Sequence, residues 1–74
     1  MHRFIVITTP TCRKCKDLEN QDKELGLGMK FVNFRDPEVA SLVAELGVAQ
    51  AGTIIDTENR TIVSIEDVIQ IKNK

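Results

Sequence analysis

Two cysteines, Cys12 and Cys15, are the residues of this sequence whose type and spacing could support chemistry. They are the only cysteines in 74 residues, and they stand close enough along the chain to close a disulfide. A deprotonated cysteine is a nucleophile and a metal ligand, and the ordinary pKa of its thiol is near ~8.5. A secreted, disulfide-stapled mini-protein would use more cysteines and spread them further apart. The pair therefore predicts catalysis or metal binding.

The cysteine pair falls between a predicted strand and a predicted helix. Residues 3–8 form a nearly continuous apolar run, which is typical of a strand buried on both faces. Pro10 breaks that pattern, and good helix formers follow from Cys12 to about Leu25. A sulfur at a helix N-terminus lies among unpaired N–H groups at the positive end of the dipole, which favours the thiolate. We therefore expect Cys12 to attack a substrate disulfide and Cys15 to resolve the mixed disulfide.

Arg13, Lys14 and Lys16 add positive charge around the pair. Cations in the first turn of a helix repel the dipole, and together the three cost about 1 kcal/mol of helix stability. Their field would lower the pKa of a neighbouring thiol and attract an acidic partner. The alternative interpretation is that all three are solvated surface residues.

The rest of the chain alternates strands and helices. We predict strands at 29–34, 53–55 and 60–64, a helix from 37 to 46, and a last helix from 65 towards 72. In the first helix, Cys15, Leu18 and Leu25 are predicted to face the core. The order β-α-β-α-β-β-α predicts one α/β domain over residues 1–74, with a four-stranded mixed sheet flanked by three helices. The first two strands should be parallel, and the last two should form an antiparallel hairpin.

Composition excludes several classes of function. The formal net charge is −1 and there are three Phe but no Trp or Tyr, so neither a basic surplus nor a stacking surface predicts nucleic-acid binding. The apolar run at 4–7 is too short for a signal-peptide core or a membrane span. We expect a soluble cytoplasmic monomer that binds neither nucleic acid nor membrane.

The segment Thr8-Thr9-Pro10-Thr11-Cys12-Arg13-Lys14-Cys15 resembles the active-site segment of glutaredoxins, in which a Pro stands two residues before the first cysteine. The order of elements is similar over nearly the whole chain. The sequence thus resembles the thioredoxin superfamily, and most closely its short glutaredoxin-like branch, which includes NrdH-type redoxins. The resemblance implies a thioredoxin-like fold, an enzyme that needs no cofactor, and a dithiol that exchanges electrons with protein disulfides.

The chain departs from that family before the third strand, where the family has a cis-proline that holds substrate backbone. Gly52 stands at that place here. Because a cis bond costs roughly 3–4 kcal/mol when no Pro follows, we expect Ala51–Gly52 to be trans or otherwise irregular. By resemblance, Thr11, Arg13, Lys14, Ala51 and Gly52 are the residues expected to contact substrate.

The signals for glutathione binding are also weak. Thr9 stands where similar glutaredoxins carry Lys, and Val63-Ser64 stands where they carry two Gly. We interpret Ser64 with Asp67 as a helix capping box. These departures favour a protein dithiol partner over glutathione. The resemblance then implies a donor similar to thioredoxin reductase, with glutathione as the alternative, and protein substrates such as ribonucleotide reductase.

Two other functions stay open. Two thiolates make half of a zinc or iron–sulfur site, but a closed site needs four ligands, so it would require two chains or an external thiol. We interpret His2 as a terminal residue rather than a ligand. Because the family's cis-proline is thought to discourage metal binding, Gly52 keeps this alternative open. The third function is a redox-inactive binding module with the same fold.

Overall fold

The computed structural model describes residues 3–73, which form a four-stranded mixed sheet and three helices. In chain order the elements are β1 (Phe4–Thr8), α1 (Arg13–Leu25), β2 (Lys30–Asn33), α2 (Pro37–Leu46), β3 (Thr53–Asp56), β4 (Thr61–Val63) and α3 (Ile65–Lys72). The predicted order and element types are confirmed, with boundaries that differ by one or two residues. None of the helices in residues 3–73 is long and apolar enough to cross a membrane.

The sheet has the strand order β2-β1-β3-β4. β1 is parallel to β2 and antiparallel to β3, and β3 is antiparallel to β4. This confirms both the predicted parallel pair and the predicted hairpin. The helix between β1 and β2 provides the crossover that a parallel connection requires.

The central strand β1 is buried on both faces because helices cover both sides of the sheet. Alternate side chains of a strand point to opposite faces. Phe4 and Val6 therefore join a cluster with residues of α1, β3 and α3, whereas Ile5 and Ile7 join a cluster with residues of β2, α2 and β3. The continuous apolar run of β1 thus reflects two cores, with α1 and α3 on one face and α2 on the other.

Local signals set the limits of α2. Asp36 is the N-cap, and its carboxylate accepts the N–H of Glu38 at 2.9 Å. Pro37 opens the helix, where its missing N–H is not needed. Gly47 ends the helix in the left-handed conformation, with φ of 65°. Together these signals give the helix the bounds predicted from the sequence, residues 37 to 46.

Two expectations about individual residues were wrong. Leu25 was predicted to face the core, but its side chain is 53% exposed. Leu27, just beyond the helix, is buried instead. The predicted third strand ended at residue 55, but Asp56 is the last residue of β3 and the one buried charged residue of the described chain. Each difference arises because a long-range contact decides which side chain enters the core.

Candidate active site

The cysteine pair lies where β1 has ended and α1 begins. Cys12 and Cys15 form a disulfide, with their Cα atoms 5.3 Å apart. The Cys12 N–H donates to the carbonyl of Thr9 at 3.3 Å, which closes a turn through Pro10. Cys12 has extended backbone geometry and is the N-cap residue of α1. The turn therefore places Cys12 at the N-terminus of α1 and Cys15 within the first turn of that helix.

The two sulfurs have different surroundings. Cys12 is half-buried, and its Sγ accepts the backbone N–H of Cys15 at 3.0 Å. Cys15 is only 6% exposed, and its Sγ lies 3.7 Å from the carbonyl oxygen of Ile7. In the dithiol form that carbonyl is placed to accept the Cys15 S–H. The two sulfurs therefore differ in solvent exposure and in hydrogen bonding, with Cys12 the outer one and Cys15 the inner one.

The Ile7 carbonyl also connects the cysteines to the loop before β3. It accepts the N–H of Gly52 at 2.7 Å. The register of β1 on β3 pairs Ile7 with Thr53, so this loop arrives beside the end of β1. The role of this carbonyl was not predictable from the sequence, because every residue carries a backbone acceptor whatever its type.

Lys14 and Gly52 are in close contact. A Cβ built on Gly52 would lie 2.8 Å from Cδ and 3.0 Å from Cγ of Lys14. Gly52 has φ of 84° and is buried, and the Ala51–Gly52 bond is trans. A residue with a side chain is unfavourable here for two reasons, its backbone angle and the Lys14 stem.

The charge around the pair is positive. Arg13, Lys14 and Lys16 are all exposed, and the first turn of α1 has no acidic residue. Within residues 3–73, none of the three takes part in an ion pair. Glu19 nevertheless lines the depression around the cysteines together with Lys16.

The surface near the cysteines is divided into a large groove and smaller depressions. The groove, of about 570 Å³, runs from Lys14 and Gly52 to the start of α3. Cys12 and Cys15 line a depression of about 210 Å³. Thus the largest concavity begins at the residue between the cysteines rather than over the sulfurs themselves.

The remaining predicted contact residues lie on different sides of the pair. Thr11 and Arg13 flank Cys12 in a shallow depression of about 170 Å³. Ala51 lines an apolar cavity of about 290 Å³ together with Phe34 on the other side of the loop. Lys14 and Gly52 are brought together, whereas Ala51 belongs to a separate surface.

Metal-binding residues are not clustered in the described part of the chain. Residues 3–73 contain no group of three or more His, Cys, Asp or Glu side chains placed to hold an ion. His2, the one further ligand considered from the sequence, lies outside the described residues.

Comparisons with known proteins add no relative. No family model matches this sequence, and no curated protein or solved structure matches it either. The α/β architecture with a mixed four-stranded sheet is compatible with a thioredoxin-like fold, and the cysteine pair is compatible with a redox role.

Proposed function

We propose that the protein is a thiol–disulfide oxidoreductase with a thioredoxin-like fold, similar to the small glutaredoxin-like redoxins. The observation that supports this most directly is the asymmetry of the two sulfurs. Cys12 is the accessible N-cap of α1 and already accepts a backbone N–H, whereas Cys15 is buried behind it. A thiolate at Cys12 would keep that hydrogen bond and gain the field of the helix N-terminus. This asymmetry supports Cys12 as the nucleophile and Cys15 as the resolving cysteine.

In the proposed reaction, the Cys12 thiolate attacks one sulfur of a substrate disulfide. The other substrate sulfur leaves, and a mixed disulfide forms. Cys15 then attacks Sγ of Cys12, which releases the second substrate sulfur. Two electrons pass to the substrate, the two protons of the dithiol end on the two substrate thiols, and the protein is left with the Cys12–Cys15 disulfide. A dithiol donor restores the reduced protein by the same exchange in reverse.

We further propose that the partners are proteins in the cytoplasm. The substrates are protein disulfides, with ribonucleotide reductase as one candidate. The donor is a reductase similar to thioredoxin reductase, with glutathione as the alternative. The capping box of α3 supports a protein partner, because the Asp67 carboxylate accepts the Ser64 N–H at 3.0 Å and so takes one donor that an anionic ligand would use.

A redox titration tests the proposal. The protein is equilibrated in dithiothreitol buffers of known potential, its free thiols are trapped with a maleimide, and its absorption spectrum is recorded. We expect one reversible two-electron transition without a chromophore, lost in both Cys12→Ser and Cys15→Ser. Circular dichroism of both variants checks that they are folded.

Two other results would contradict the proposal. Thiols that never form the intramolecular disulfide would exclude redox exchange through this pair. A stable metal ion or a coloured cluster in the purified protein would favour metal binding instead.

A further inference from the structure

The groove beside the cysteines has an apolar floor. It is lined by side chains from α1, β3, β4 and the start of α3, among them Leu18, Ile54, Ile62, Val63 and Ile65. Ile62 is 47% exposed although it is a large aliphatic residue in a strand. An exposed apolar strip of this kind is a place where a partner side chain gains by leaving water.

Two charged residues of opposite sign line this groove. They are Lys14, which stands between the cysteines in the chain, and Glu66, in the first turn of α3. Lys14 has no ion-pair partner within residues 3–73, and its stem is held over Gly52. The contact with Gly52 places the stem of Lys14 as far as its Cδ beside the loop before β3, and Lys14 lines the groove there.

We propose that Lys14 determines substrate specificity. It selects protein disulfides that have an acidic side chain near the attacked cysteine and an apolar side chain that enters the groove. Charge complementarity supplies the argument, because a substrate carboxylate near Lys14 would meet an ammonium group that has no ion pair within residues 3–73. This inference rests on the proposed function, since it concerns the substrate of the same dithiol.

The groove is less suited to glutathione than to a polypeptide. Glutathione has carboxylates at both ends and no large apolar side chain. One of its carboxylates could meet Lys14, but it has no side chain that would fill the apolar floor of Ile62, Val63 and Ile65. A polypeptide can be acidic near Lys14 and can also fill the apolar floor.

Three matched peptides test this proposal. They share one length, one intramolecular disulfide and a Leu beside the first cysteine, and they differ at a single position two residues away, which is Asp, Asn or Lys. Reduced protein is mixed with each peptide, quenched with acid and separated by chromatography. At low ionic strength we expect the Asp peptide to react about tenfold faster than the Lys peptide, because an attraction is exchanged for a repulsion of similar size.

The decisive measurement is the ratio of the rate with the Asp peptide to the rate with the Lys peptide. This ratio cancels any change in the intrinsic reactivity of Cys12. We expect Lys14→Ala to lower the ratio to about two or three, with Arg13 and Lys16 still present, and Lys14→Glu to bring it near one. Lys23→Glu is the matched control. Lys23 lies in the last turn of α1, so its reversal changes the net charge equally but should leave the ratio unchanged.

The outcomes separate this inference from the proposed function. If all three peptides are reduced and Lys14→Glu has the same ratio as the unaltered protein, the role of Lys14 is overturned while the oxidoreductase stands. If glutathione disulfide is reduced faster than the Asp peptide, the choice of a polypeptide is overturned. If neither the peptides nor hydroxyethyl disulfide is reduced, both proposals fail.

Discussion

At the scale of single residues, Cys12 takes the position that Ser, Thr, Asn or Asp usually occupies at a helix start. Those residues accept an N–H from the first turn of the helix. Here the acceptor is the Cys12 sulfur and the donor is the Cys15 N–H, at 3.0 Å. The sulfur of the proposed nucleophile thus also caps the helix, and the surrounding cations favour its thiolate as well.

We therefore expect the Cys12 thiol to titrate below the ordinary pKa of ~8.5 for cysteine. The Cys15→Ser variant isolates this thiol and keeps the backbone N–H that donates to it. The measurement is the rate of alkylation by iodoacetamide from about pH 4 to pH 10, across the titration range of shifted thiols. Cys15 in the Cys12→Ser variant is the control, and it should react slowly at every pH because it is buried. A titration of Cys12 at or above the ordinary value would contradict the capping argument.

At the scale of elements, the contact between Lys14 and Gly52 joins the start of α1 to the loop before β3. Gly52 is required here on two grounds, a φ of 84° and the proximity of the Lys14 stem. Gly26 has a similar φ of 62°, but a Cβ there would meet nothing within 4 Å. A comparison of substitutions at the two glycines therefore separates the cost of backbone strain from the cost of crowding.

We expect Gly52→Ala to lower the free energy of unfolding more than Gly26→Ala does. Left-handed geometry costs an alanine about 1–2 kcal/mol at either position. Crowding against Lys14 should add about 1 kcal/mol at position 52, since a flexible stem can move only in part. Urea unfolding monitored by circular dichroism measures both values.

A double variant tests whether Lys14 causes the larger loss of stability expected for Gly52→Ala. Lys14→Ala combined with Gly52→Ala should remove most of the added cost, because it removes Cγ and Cδ of Lys14 and leaves only its Cβ, 3.3 Å from a Cβ at position 52. If the double variant is as unstable as Gly52→Ala alone, the crowding lies elsewhere in the loop.

At the scale of the whole molecule, the two ends of β1 have different surroundings. The cysteines lie beyond Thr8, at the end of β1, whereas Phe4 at its beginning pairs with Asp56. Arg3 donates to both carboxylate oxygens of Asp56, at 3.3 Å each. Burial raises the pKa of Asp56, but the hydrogen bonds from Arg3 and from the backbone of Asn59 and Glu58 outweigh it and hold the pKa below its ordinary value of 3.8. The buried carboxylate thus holds together the end of the sheet remote from the cysteines.

The sign of this shift predicts how stability depends on pH. A carboxyl whose pKa is lowered by folding stabilises the native state above its unfolded pKa, and this contribution is lost as the pH falls through the folded value. At pH 7, Asp56→Asn should lower the free energy of unfolding by about 1–3 kcal/mol, because buried hydrogen bonds to a charge are lost. The gap to the unaltered protein should narrow as the pH falls below about 4.

Urea unfolding at a series of pH values checks this prediction. Asp17→Asn is the control for a change in net charge. Asp17 is exposed on α1, and its substitution should alter stability at pH 7 by less than about 0.5 kcal/mol. A gap for Asp56→Asn that stays constant down to pH 2 would show that its charge is not what stabilises the fold.

Much of the architecture was predictable because its signals are local. The apolar run of β1, the sequence Asp36-Pro37 at the start of α2 and the glycines after two helices act within a few residues of themselves. The same is true of the cysteine pair, whose position between a strand and a helix followed from Pro10 and the residues around it. Order, element type and the mixed sheet were all determined at this range.

The tertiary structure decided what depends on residues far apart in the chain. Leu18 is buried and Leu25 is exposed although both are leucines of α1, because only one faces the sheet. Asp56 is buried because Arg3, 53 residues away, pairs with it. Lys14 meets Gly52, and the groove beside them exists, only because β3 is laid against β1. Sequence alone therefore determined the cysteine pair and the elements that carry it, whereas the contacts around the pair come from long-range strand pairing.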